Sequence, residues 1–136
     1  MRAIATVLLT LALFAGPASL FDGPAMGQTR PSVPVRIGGD ADLDACATLS
    51  EIRGLNPRGD GFLSVRSGPG TRHAEIDRLY NGDQVYSCAE QGDWIGIIYP
   101  FGRRCGVATP WPAARPYAGP CRSGWVHRRF VRDVAG

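Results

Sequence analysis

The sequence predicts an all-β fold: a small closed or nearly closed barrel with an N-terminal extension and a long cysteine-stapled loop. Three observations predict it. Phe62, Ser64 and Arg66 alternate with Leu63 and Val65, the period-two pattern of a half-buried strand. Turn formers recur at short intervals, as Asn56-Pro57-Arg58-Gly59-Asp60-Gly61, Ser67-Gly68-Pro69-Gly70, Asn81-Gly82 and Gly92-Asp93, and leave room only for short strands. Trp94-Ile95-Gly96-Ile97-Ile98-Tyr99 is an almost unbroken apolar run ended by Pro100, and belongs at the centre of the sheet. Many short β segments between glycine-rich turns favour a closed or nearly closed barrel.

Taken in order, the chain opens with Met1-Arg2 and the apolar run AIATVLLTLALFAG. That is the length of a signal-peptide core and falls short of the roughly 20 residues a bilayer crossing needs. Small residues at Gly16-Pro17-Ala18 place cleavage after Ala18, giving a signal peptide over 1–18, with Ala25 as a second site and an uncleaved anchor as the alternative. Residues 19–53 are expected as a flexible leader and N-terminal clasp, because Pro24, Pro31 and Pro34 interrupt regular hydrogen bonding. Within it, 33–37 is a candidate edge strand, and 42–49 a helical turn capped by Asp42 or a small clasp.

The domain proper is expected over 54–132. The Asn56–Gly61 turn delivers the chain into the Phe62 strand, and glycines with Pro69 reverse it at Ser67–Gly70. Ile76–Leu79, the Asn81-Gly82 hairpin signal and Gln84–Ala89 follow. Gly96 would permit close approach or curvature in the central strand. Residues 102–123 carry prolines 110, 112, 116 and 120 with interspersed glycines, and read as a specialised loop. Gly124-Trp125-Val126 resumes the sheet, a 3-10 turn is a candidate over 127–129, Phe130-Val131 packs the closing segment, and 133–136 is a C-terminal tail.

An export signal makes disulfides available to Cys46, Cys88, Cys105 and Cys121, and a domain this small gains from cross-links. Four cysteines allow three complete pairings, and the sequence does not choose among them. Cys105–Cys121 with Cys46–Cys88 is preferred, since the first would staple the proline-rich excursion and the second would fasten the early segment to the barrel. The expected location is periplasmic or secreted.

Charge is uneven. Over 101–136 seven arginines face one acid, Asp133, a balance of +6, while over 19–100 seven arginines face eleven acids, a balance of −4. Such a dipolar surface steers an anionic partner or a second copy of the chain. All fifteen Lys/Arg positions are arginine, which carries no functional reading by itself.

The stretches FLSVRSGPGT at Phe62–Thr71, Ile76 through Leu79, Asn81-Gly82-Asp83-Gln84-Val85, Gly92 through Ile97, and Gly124-Trp125-Val126 with Phe130-Val131 together resemble the bacterial SH3-like (SH3b) domain family. The resemblance spans residues 54–132. It implies a small barrel of five or more short strands and an extracytoplasmic recognition module of the kind linked to cell-wall or peptide binding. The excursion between Cys105 and Cys121 departs from the simplest family pattern.

The candidate ligand-binding residues are Trp111 and Tyr117, bordered by Arg103, Arg104 and Arg122, with Tyr99 beside them. Aromatic rings bury ligand area with little side-chain disorder, and arginine forks hold carboxylates. The competing reading of Trp111 and Tyr117 is loop packing. Trp94 and Trp125 are assigned to core packing, and Gly68, Pro69 and Gly70 to a structural turn. The Arg66–Gly70 series lacks both the spacing and the lysine of a phosphate loop. His73 and His127 read as surface or local hydrogen-bonding groups, with no Cys/His/Asp array to make a metal site. Ser64, Ser67 and Ser123 form no nucleophile elbow. The sequence therefore points to a nonenzymatic module without cofactor or metal. Its partner would be a peptide or protein, with peptidoglycan stem peptide as one candidate, and the expectation includes neither nucleic acid nor stable membrane insertion. The alternatives are a homodimeric or larger structural or host-interaction protein and, more remotely, a small cell-wall hydrolase.

Overall fold

The computed structural model describes Gly27 and residues 29–136. The signal peptide expected over 1–18 and both of its cleavage sites lie outside the described residues. Eleven short strands form among those described: β1 Arg36–Ile37, β2 Asp40–Asp44, β3 Leu49–Ile52, β4 Leu63–Arg66, β5 Glu75–Leu79, β6 Gln84–Gln91, β7 Trp94–Tyr99, β8 Pro110–Trp111, β9 Arg115–Pro116, β10 Arg122–His127 and β11 Val131–Ala135. Single 3-10 turns occupy Arg103–Cys105 and Arg128–Phe130. No helix among the described residues is long and apolar enough to cross a membrane.

The all-β prediction holds, and the barrel does not. Seven strands form one antiparallel sheet in the order β11-β3-β6-β7-β10-β4-β5, and β1-β9 and β2-β8 form separate two-stranded ribbons. β11 pairs only with β3 and β5 only with β4, so the two edges never meet and the sheet stays open. The β5 edge is blunted by a register shift that skips Ile76 and by the charges of Glu75, Asp77 and Arg78, devices that discourage edge pairing.

A second reason is that the sheet buries both of its faces without closing. On one face Ile52, Leu63, Val65, Leu79, Val85, Ile95, Ile97, Tyr99 and Val126 form a core, with Phe130 and Val131 packed at its margin. The opposite face presents Tyr86, Ile98 and Trp125, which a closed barrel would turn to solvent. Here Val35, Ile37 and Cys46 from the N-terminal segment cover them, together with Cys105, Val107 and Tyr117 from the excursion. Each fully buried aliphatic side chain of this cover contributes roughly 1.5–3 kcal/mol.

Gly96 in β7 makes the close approach possible, because a Cβ there would stand 3.0 Å from Val35 Cγ1 and from Ala89 Cβ. The segment 42–49, predicted as a helical turn or clasp, holds the end of β2 and the first residue of β3 with no helix between them, and Asp40 Oδ1 accepts from the Asp42 and Leu43 amides. Asp42 therefore caps no helix. Ser50, buried with no exposed surface, is satisfied by Asp133 at 2.6 Å and Ser87 at 2.7 Å, which ties β11 and β6 to β3.

Cys46 is joined to Cys88 and Cys105 to Cys121. The first bond fastens the N-terminal cover to β6, and the second closes the excursion beside the end of β7. His73 is buried beneath the Gly68 turn, where a Cβ on Gly68 would collide with its ring, so the turn glycine is a packing requirement.

Candidate functional site

A groove of about 580 Å³ opens where the ends of β6, β7 and β10 face β5. Its volume lies in the range of small-ligand and peptide pockets. Three of the residues selected from the sequence meet there. Tyr99 ends β7 and is buried, Arg104 projects from the 3-10 turn, and Arg122 begins β10. Asp77, Leu79 and Asp83 stand on the opposite side with Arg78, which is paired to Glu75, and Pro100 and Pro120 also line it.

The groove is bipolar. Arg122 Nη1 donates to Asp77 Oδ2 at 2.7 Å, while the Arg122 side chain remains 72% exposed. The Asp77 carboxyl is held below the usual aspartate range, first by the Arg78 backbone amide at 2.8 Å and next by the Arg122 guanidinium. Burial pushes the Tyr99 phenol above its usual range, and the Asp77 charge adds to that shift, so Tyr99 presents a neutral hydroxyl at physiological pH. Arg104 is exposed and has no carboxylate within ion-pair distance among the described residues. Asp83 Oδ2 accepts from the Tyr80 amide at 2.8 Å.

Because its folded-state value is depressed, Asp77 adds stability that is complete above the ordinary carboxylate range. That contribution is lost as pH falls through the lower folded-state value. We expect a carboxyl NMR titration to place the Asp77 midpoint below that of a free aspartate, and Arg122→Gln to move it upward. A midpoint unmoved by the substitution would show that the pair does not persist in solution.

Arg104 and Arg122 are each the immediate neighbour of a disulfide cysteine, and the Cα atoms of Cys105 and Cys121 are 5.2 Å apart. The bond thus sets both arginines on one wall. Tyr117 stands behind that wall with its ring buried; its hydroxyl donates to the Cys105 carbonyl at 2.9 Å and accepts from the Cys121 amide at 3.1 Å. It positions the cationic wall and does not line the groove. Trp111 stacks on Tyr117 with centroids 6.4 Å apart and carries the Arg115 guanidinium 4.0 Å over its ring, away from the groove. Arg103 is exposed on the same turn as Arg104 but does not line the groove. The pair of rings and three arginines expected to form one surface is therefore divided: Arg104 and Arg122 join Tyr99, and the rings pack behind.

Trp125 is buried on the outer face, its Nε1 donating to the Val33 carbonyl at 2.7 Å. Trp94 is half-buried and meets His127 edge-on at 5.6 Å. His127 Nδ1 accepts from the Arg129 amide at 3.2 Å, a local cap. Among the described residues no group of three or more His, Cys, Asp or Glu is placed to hold a metal ion. Neither Asp77 nor Asp83 is among the ligand-binding residues picked from the sequence, where both read as turn or sheet-surface carboxylates; Asp83 does hold the Tyr80 turn, and Asp77 also pairs with Arg122. Asp77 lies 45 residues from Arg122, and no local pattern marks the pairing.

One seam runs through this region. β10 pairs with β7 along all of Arg122–His127, but its pairing with β4 is confined to Trp125 opposite Arg66. Arg122 and Ser123 therefore have no strand partner on the β4 side, where the Arg122–Asp77 ion pair crosses to β5, while Gly124 is buried with Val65, the Arg66 carbonyl and Ile76 closed around it. No known protein family, curated protein or solved structure matches this chain.

Proposed function

We propose that the protein is an extracytoplasmic, nonenzymatic recognition module that binds an extended peptide or protein segment in the groove beside β5. The carrying observation is that Arg104 and Arg122 are fixed on one wall of a groove at which β10 begins without a β4 partner. Such an unpaired stretch offers main-chain hydrogen bonds for affinity, and the flanking arginines select acidic groups. The N-terminal apolar run and the two disulfides support a location outside the cytoplasm. The resemblance of residues 54–132 to SH3b domains supports peptide recognition, with cell-wall stem peptide as the first ligand to try.

The test is a titration of purified wall fragments and defined acidic peptides against the protein and its Arg104→Ala variant. Arg104 makes no side-chain hydrogen bond or ion pair among the described residues, so the variant should melt like the parent. We expect saturable binding that weakens by roughly tenfold or more when this charged donor is removed. Absence of saturable binding, or binding indifferent to Arg104, overturns the reading. A concentration-dependent dimer without ligand binding would transfer the surface to self-association.

A further inference from the structure

We propose that the groove takes the C-terminal end of its peptide, with the terminal carboxylate between Arg104 and Arg122 and an apolar side chain from about two residues upstream over Val33 and Ile76. This deepens the recognition reading and rests on it. The two arginines supply the anion site. Arg104 has no carboxylate partner among the described residues, and Arg122 commits Nη1 to Asp77 while its side chain stays largely exposed. A guanidinium has five N–H donors, so Arg122 can hold Asp77 and a ligand carboxylate together.

The apolar half lies along β10. Ser123 and Gly124 border a shallow depression of about 270 Å³ whose other walls include Val33, Pro34 and Ile76. Val33 and Ile76 are 37% and 52% exposed, an apolar pair in contact with solvent. Two residues of strand separate Arg122 from Gly124, about 7 Å. That is also the repeat along an extended ligand between one side chain and the next on the same face, so one short peptide spans both features.

The carboxylate is assigned to the chain end for a backbone reason. Side chains of an extended ligand project away from its axis, whereas its terminus continues along it. Following the seam from Gly124 toward Arg122 leads to a wall that includes Pro100 and Pro120, neither of which has an N–H to bond a continuing main chain. A chain that stops there leaves no such carbonyl unmet, and its last group arrives at the arginines. The ligand would run antiparallel to β10, matching the antiparallel pairing of the whole sheet.

The test uses acetylated Gly-Gly-Leu-Ala as the free acid, the same peptide as its C-terminal amide, and an amidated peptide with an internal aspartate following leucine. Each is titrated against the protein and against Arg104→Gln, with wall fragments in parallel. We expect the acid to bind, the amide to bind roughly tenfold or more weakly, and Arg104→Gln to bring the acid down to the level of the amide. Equal binding of acid and amide overturns the terminal assignment while leaving recognition intact. An internal-aspartate amide as tight as the acid overturns it in favour of a side-chain carboxylate. If neither short peptide binds while wall fragments do, this proposal alone fails; if nothing binds, the recognition reading falls with it.

Discussion

Trp125→Ala should lower the unfolding free energy by about 3–5 kcal/mol, the usual range for deleting a large buried aromatic. The side chain is 4% exposed and sits where three parts of the chain converge. Its backbone pairs with Gly96 on one side and makes the only pairing of β10 with β4, opposite Arg66, on the other. Its ring belongs to the outer-face core with Val35, Ile98 and Tyr117, and its indole N–H satisfies the Val33 carbonyl. Truncation would open a cavity under the N-terminal cover and remove that donor. Trp125→Phe, which keeps most of the volume but loses the N–H, should show the smaller part of the loss, about 1 kcal/mol. Chemical denaturation of both variants separates packing from hydrogen bonding. An alanine variant within about 0.5 kcal/mol of the parent, as for an ordinary surface change, would mean that the outer cover is not part of the cooperative unit.

The same packing explains which parts of the fold were legible. β4 could be read because Leu63 and Val65 are buried while Ser64 and Arg66 remain half-exposed, so one solvated face preserves the alternation. β7 could be located from its apolar run and the turn before it, and it does occupy the middle of the seven-stranded sheet. The meaning of that run was harder to read. Ile97 and Ile98 point to opposite faces and both have no exposed surface, so the missing alternation recorded burial on two sides. A small barrel with a solvated exterior does not need that. The cover that requires it comes from segments whose prolines and short pairings hide any period. β1, β8 and β9 are two residues each.

The site was legible in chemistry and misplaced in space. Arg103, Arg104 and Arg122 were expected to border a groove built on Trp111 and Tyr117; Arg104 and Arg122 instead line a groove with Tyr99. The aromatic partners were chosen by type, and type does not reveal which face a ring occupies. Tyr117 spends its hydroxyl on two backbone groups behind the wall, while Tyr99 reaches the groove because it terminates a central strand whose neighbours end at the same level. Asp77 was not placed in the site because a carboxylate among short strands and turns reads as turn or sheet-surface stabilisation, and its partner Arg122 lies 45 residues away.

Replacing Cys105 and Cys121 together by serine should lower stability and abolish recognition, whereas replacing Cys46 and Cys88 should lower stability alone. The two bonds join residues 16 and 42 apart, which in the chain-entropy account corresponds to about 3 and about 4 kcal/mol. Denaturation by itself would therefore rank the second pair as the more damaging. Binding should rank them the other way. The Cys105–Cys121 bond holds the residues next to Arg104 and Arg122, and without it only the Tyr117 hydroxyl, bridging the Cys105 carbonyl and the Cys121 amide, still links these two stretches directly at that point. The Cys46–Cys88 bond fastens the opposite face of the sheet and has no residue in the groove. Measured under conditions where both double variants are folded, the free-acid peptide should lose saturable binding to the first and keep it with the second. Equal losses would mean that the arginine wall depends on global stability and not on its local clamp. Retained binding by the first would show that the Tyr117 bridge suffices to hold it.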